Sequence, residues 1–211
     1  MFPAHWLKGR IAGKATSLDS NEIKRSIEML NVAIAKYPQE FLKKNLKQIY
    51  VFSSLEFFGV GYGGTYHKDA VYICNKGLSK GYTAKFMEKV FHAELSSVLY
   101  SNFAAHFPKT EWRLANAQGF SYGNGGVNAI KRGRNGEGQT QVAQEKGFLT
   151  QYGMSDMEND INSYAKNIFG DKERFWKQVY SSERIRKKSE LFIQFYHQMD
   201  HSFTEAYFKK L

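Results

Sequence analysis

The clearest periodic pattern in the chain runs from Thr83 to Phe103. Met87, Val90, Phe91, Leu95, Val98 and Leu99 recur at three- and four-residue spacing. That spacing predicts one helix with an apolar stripe and Phe103 near its edge. Glu94 follows Phe91 by three residues and precedes Val98 by four, so it falls inside the stripe. A carboxylate placed there needs an ion pair, a hydrogen bond or a proton. Upstream, Asp19-Ser20-Asn21-Glu22 supplies helix-start chemistry. Ile23, Ile27, Leu30 and Ile34 then form a helical stripe that ends before Pro38, and a short second helix carries Phe41, Leu42 and Leu46. Ile49-Tyr50-Val51-Phe52 and Ala70 to Cys74 have strand composition. Between them lies Gly59 to Tyr66, whose glycines allow tight turns or close backbone approach.

The second half reads differently. Gly119 to Gly138 is rich in Gly, Asn and basic residues and predicts a long loop or a lid. Ser155-Asp156-Met157-Glu158 matches a capping box opening a helix. Met157, Ile161, Tyr164, Ala165 and Ile168 form that helix's buried stripe, with Glu158 and Asp160 on opposite sides of it. Phe175, Trp176 and Val179 predict a short helix. Ile185, Phe192, Phe195, Tyr196 and Met199 predict a long final one. The order of helices, strands, then helices suits an α+β domain spanning 1–211. Its strands and the Glu94 helix lie in 1–110, and the Gly-rich loop and helical part in 111–211.

Composition narrows the class. Aromatic residues make up 16% of the chain, which argues against disorder. No apolar run is long enough to span a membrane, and Met1 to Trp6 shows no signal-peptide pattern. The single cysteine, Cys74, excludes an internal disulfide and a Cys-based zinc cluster; ending an apolar run, it reads as a buried, unreactive thiol. The net charge of +10 favours acidic partners. Basic residues cluster at Lys131-Arg132-Gly133-Arg134 and Arg184-Ile185-Arg186-Lys187-Lys188. A solvated loop and helix face account for both runs, and no zinc-finger or RNP-type motif accompanies them.

The chemistry concentrates in Phe91-His92-Ala93-Glu94-Leu95-Ser96-Ser97. In a His-Glu-x-x-His helix, two histidines one turn apart grip zinc and the glutamate serves a bound water. Glu94 is present here, but Ala93 and Ser97 stand at the two histidine positions. His92 is two residues from Glu94, so the two side chains leave the helix in different directions. His197 and His201, with Asp200 between them, share one helix face and form a second candidate metal pair.

Two short strands, a Gly63-Gly64-Thr65-Tyr66 edge and a helix bearing a glutamate resemble the zincin layout. More narrowly, the chain is similar to a family of zinc-binding metallopeptidases found as bacterial lipoproteins. That family's helix pattern, His-His-Glu-Phe-Ser-Ser, is matched by His92-Ala93-Glu94-Leu95-Ser96-Ser97. The similarity extends through Gly147-Phe148-Leu149, Glu158-Asn159-Asp160 and Phe175-Trp176. The resemblance implies a zincin-like fold with a small mixed sheet, an active-site-type helix and a helical C-terminal half. It implies a cell-envelope or secreted location, zinc as cofactor and Glu94 as the catalytic residue. It also implies an acidic ligand, Glu158 or Asp160, from the helix after Asp156.

Three functions stay open. One is a degenerate metallopeptidase-like domain, with peptidase activity lost or reduced, that binds a peptide or protein along Gly63, Gly64, Thr65 and Tyr66. A second is an active metal-dependent peptidase with a non-standard ligand set, His92, Glu94 and an acid from the Glu158 helix. The third is a basic binder of nucleic acid or anionic surfaces using Arg132, Arg134, Arg184, Arg186 and Lys187.

Overall fold

A run of backbone pairing between Lys14 and Cys74 gathers the strands found among the described residues into the first part of the chain. The computed structural model describes residues 2–123, 125–133, 136, 138 and 140–211. The chain is mixed α/β with a small open mixed sheet, and it divides into two compact units, Met1–Leu99 and Tyr100–Leu211.

The first unit contains β1 (Lys14–Ser17), α1 (Ile23–Ile34), α2 (Gln39–Asn45), β2 (Gln48–Phe57), β3 (Val60–Gly61), β4 (Gly64–His67), β5 (Ala70–Cys74) and most of α3 (Ala84–Phe103). The strand order is β1-β2-β5-β4, with β3 also paired to β2. β2 and β5 are parallel, from Gln48 opposite Ala70 to Phe52 opposite Cys74. The other pairings are antiparallel. Phe58 and Gly59 both take positive φ, 56° and 72°. This is the backbone of a two-residue turn whose twist suits a hairpin, and it folds β3 back on β2. β2 is longer than its apolar stretch suggests because its polar second half is held by pairing with β1 and β3 rather than by its own composition.

Alternation along β5 sends Ala70, Tyr72 and Cys74 to one face. There they join Leu55 and Phe57 in a core cluster covered by Phe2, Trp6 and Ile11 from the N-terminal segment. Cys74 is buried as expected, and burial pushes its thiol up. Helix α3 buries Met87, Val90, Phe91, Leu95, Val98 and Leu99, the positions predicted by periodicity. It also buries His92, Ala93, Ser96 and Ser97, so it is enclosed nearly all round and not merely along one stripe.

Helix α1 departs from expectation. Its buried positions are Ser26, Met29 and Ala33, whereas Ile23 and Ile27 are exposed. Polar anchoring sets this rotation. Asn75 Nδ2 donates to Ser26 Oγ at 2.9 Å, Arg25 Nη1 to the Tyr82 carbonyl at 2.6 Å and Arg25 Nη2 to Asn75 Oδ1 at 2.8 Å. These bonds hold the Arg25–Ser26 side of the helix against the segment after β5 and turn the isoleucine stripe outward.

The second unit is helical: α4 (Lys109–Leu114), α5 (Gly126–Lys131), α6 (Gln141–Glu145), α7 (Met157–Gly170), α8 (Lys172–Ser181), α9 (Glu183–Met199) and α10 (Glu205–Lys210). The stretch expected to be one long loop contains α5. Thr140, whose hydroxyl accepts from Ala143 N, caps α6 just after it. Helix α7 buries Met157, Ile161, Tyr164, Ala165 and Ile168 as predicted. Its cap, however, is Asp156, whose Oδ1 accepts from Asn159 N at 2.7 Å. The cap therefore lies one residue later than the Ser155 reading, and Glu158 is not the reciprocal partner of a capping box. The chain continues past the last predicted helix into α10, which buries Phe208 against Phe169, ring centroids 5.2 Å apart. Among the described residues no helix is long and apolar enough to cross a membrane.

Candidate functional site

Glu94 stands against the sheet's edge strand. A Cβ added at Gly64 would lie 2.5 Å from Val90 Cγ1, 2.8 Å from Glu94 Cγ and 2.9 Å from Glu94 Oε1. Only a glycine lets β4 approach α3 this closely. At Gly63 the same construction finds Phe86 and Val90 at 3.7 Å, an ordinary packing distance. Glu94 is half-buried. Tyr62 lies nearby: burial, and secondarily the Glu94 charge, push its hydroxyl up. Gly64 thus packs onto Glu94 and Val90, Gly63 meets Phe86 and Val90, and Tyr62 lies within reach of the Glu94 charge.

The edge itself has a defined polarity. Cys74 N donates to the Gly63 carbonyl at 2.8 Å, and β4 pairs onward from Gly64 opposite Ile73 to His67 opposite Ala70. In an antiparallel ladder, alternate residues direct their N–H and C=O toward the partner strand. Gly63 and Thr65 therefore face β5, and Gly64 and Tyr66 turn their backbone polar groups to the opposite side. Among the described residues no strand lies beyond β4.

His92 points elsewhere. Its ring is fully buried, with Nδ1 2.8 Å from the Tyr37 hydroxyl and Nε2 3.4 Å from Glu88 Oε1. An ionised Glu88 can only accept, so Nε2 carries the proton and Nδ1 accepts from Tyr37. Burial lowers the imidazole to about 4 despite the Glu88 carboxylate beside it. Burial alone would raise Glu88, but His92 and Lys36 outweigh it and hold that carboxyl below its ordinary value.

In the second unit Asp160 is fully buried, and its Oδ2 accepts three bonds: from Trp112 Nε1 at 2.8 Å, Tyr122 Oη at 2.7 Å and Lys188 Nζ at 2.7 Å. Lys188 also donates to the Gly147 carbonyl at 2.9 Å and lies 3.9 Å from the Phe148 ring centroid. Burial pushes Asp160 up and Lys188 down, and each charge partly offsets the other's shift. Lys188 is therefore no part of a solvated basic run. The signal for this was in the sequence: Lys188 falls between Ile185 and Phe192 at the spacing of the α9 apolar stripe. Glu158, half-buried, contributes to raising the Tyr100 hydroxyl, whose first cause is burial. Arg184 donates to the Asn116 carbonyl at 3.0 Å and Lys187 pairs with Glu190 at 3.9 Å. Arg132 lines a cavity of about 420 Å³ with Asn128, Gln151 and Ser155. Arg134 lies outside the described residues. The His197 and His201 rings meet at 5.0 Å.

Of the donors implied for zinc, both His92 nitrogens bond within the first unit, while Asp160 Oδ2 accepts three bonds and its buried Oδ1 has no hydrogen-bond partner among the described residues. Among the described residues no three His, Cys, Asp or Glu side chains are grouped to hold one ion. No family model, curated protein or solved structure matches this chain.

Proposed function

We propose that this chain is a zincin-like, metallopeptidase-related domain that binds a peptide or protein segment by strand addition along β4, with peptidase activity lost or reduced. The observation that carries the reading is the packing of Gly64 onto Glu94 at a sheet edge. An extended peptide there would gain ladder bonds at Gly64, and alternate side chains would face Phe86 and Val90 or the opposite side. Glu94 adds a carboxylate beneath the strand, where a bound segment's polar groups would meet it. Ala93 and Ser97, both buried, leave the helix without the imidazoles that would turn such a site toward hydrolysis.

The test is amide exchange followed by NMR in the presence of a random-sequence decapeptide library. Strand addition is expected to slow exchange at Gly64 and to leave Thr65, already bonded to β5, unchanged. Uniform exchange with and without peptides would remove the binding reading. Efficient cleavage of the library that disappears in Glu94→Gln would replace it with an active peptidase.

A further inference from the structure

Helix α1 presents an apolar face that the first unit leaves uncovered. Ile23 is 48% and Ile27 53% exposed, and Leu30 and Ile34 are half-buried. The four lie at i, i+4, i+7 and i+11, one straight stripe about 16 Å long at the helical rise. The stripe is roughly a quarter turn around the helix from the buried Ser26, Met29 and Ala33. The Arg25 and Ser26 bonds described above hold this rotation, so the stripe cannot turn inward without breaking them. At its C-terminal end the stripe runs into a groove of about 540 Å³, which Ile34, Leu42, Leu46 and Ile49 line together with Lys43 and Lys47.

We infer that this face is a docking site for an amphipathic helix of a partner protein, apolar on one side and acidic along its flank. Apolar residues at helical spacing form the seam along which a second helix packs. The groove lining includes Lys43 and Lys47 and no acid, and Glu40 beside Lys43 offsets only one of the two, so the net charge at the rim is positive. Lys43 bonds Glu40 and Lys47 the Lys43 carbonyl; all lie at the exposed rim, where a partner carboxylate can compete. A second copy of this chain is a poor occupant. It would bring two lysine rims together between chains that each carry +10. The surface shares no residue with β4, so it stands or falls separately from strand addition.

The experiment uses the full chain and a fluorescein-labelled 14-residue helical peptide with Leu at i, i+4, i+7 and i+11 and Glu on the flanking positions. Controls replace every Glu by Lys, or every Leu by Ser. Anisotropy is expected to show saturable binding of the acidic peptide, at least tenfold weaker binding of both controls, and at least a tenfold loss in Ile27→Asp. Ile27 is exposed, so circular dichroism should show that variant folded. In Lys43→Glu with Lys47→Glu the preference should shift to the lysine peptide. Absent binding, equal binding of acidic and basic peptides, or binding untouched by Ile27→Asp would overturn the inference. So would concentration-dependent dimerisation in sedimentation that Ile27→Asp abolishes, since the occupant would then be a second copy.

Discussion

Replacing Lys188 by Met should expose how much of the second unit depends on one buried ion pair. The substitution keeps most of the side-chain volume, so the lost ammonium dominates the effect. It leaves Asp160 fully buried with the Trp112 and Tyr122 bonds and no counter-charge, and it orphans the Gly147 carbonyl. Breaking a buried pair from one side costs about 3–5 kcal/mol. The loss should depend on pH. Asp160's folded pKa is raised above its unfolded value, so the folded state binds the proton more tightly and stability falls as pH rises across that window. Without the lysine the shift grows. The deficit of Lys188→Met should therefore be largest near neutral pH and shrink on acidification, as Asp160 takes up a proton and sheds its charge. The assay is urea unfolding followed by tryptophan fluorescence at pH 7 and pH 5, with the variant and the parent compared at each. Adding Asp160→Leu should recover part of the loss, because Trp112 Nε1 and Tyr122 Oη, 3.1 Å apart, can still bond each other. A deficit below about 1 kcal/mol at pH 7, or one that does not change with pH, would refute this account of the pair.

His92 gives an acid-side prediction. Its folded value of about 4 lies below the ordinary 6.5, so the unfolded chain binds more protons between them, and stability falls as pH drops through that window. The full effect is about 3 kcal/mol, and His92→Gln should flatten that part of the stability–pH curve in urea titrations. Gly64→Ala should destabilise by about 1–3 kcal/mol, because the new methyl meets Val90 at 2.5 Å; a melting temperature equal to the parent's would show that β4 is free to move off α3. Elemental mass spectrometry of untagged protein, loaded with zinc and dialysed, should find well under one zinc per chain. Near-stoichiometric zinc would overturn the reading of a degenerate site and direct mutagenesis to His92, Glu94, Glu158 and Asp160.

Local periodicity was enough to place α3, α7 and α9 and to name most of their buried residues, because helical spacing is a property of neighbours in the chain. It also marked Glu94 as a charge on an apolar stripe, whereas Lys188, at the same kind of spacing in α9, reads in the sequence as part of a solvated basic run. It could not say what those charges would meet, since Gly64 lies 30 residues from Glu94 and Asp160 lies 28 from Lys188. β1, Lys-Ala-Thr-Ser, carries no strand pattern of its own and exists because β2 pairs with it. The α7 cap fell on Asp156 because adjacent Ser and Asp are equally good caps, and only the backbone path chose between them. The outward turn of α1 was equally invisible. The sequence by itself determined that Ile23, Ile27, Leu30 and Ile34 share one helix face. Whether that face went inside or outside was decided by Asn75 and Tyr82, about 50 residues away, whose bonds to Ser26 and Arg25 hold the helix in its present rotation. Periodicity orders side chains around an element, and only tertiary contacts orient the element.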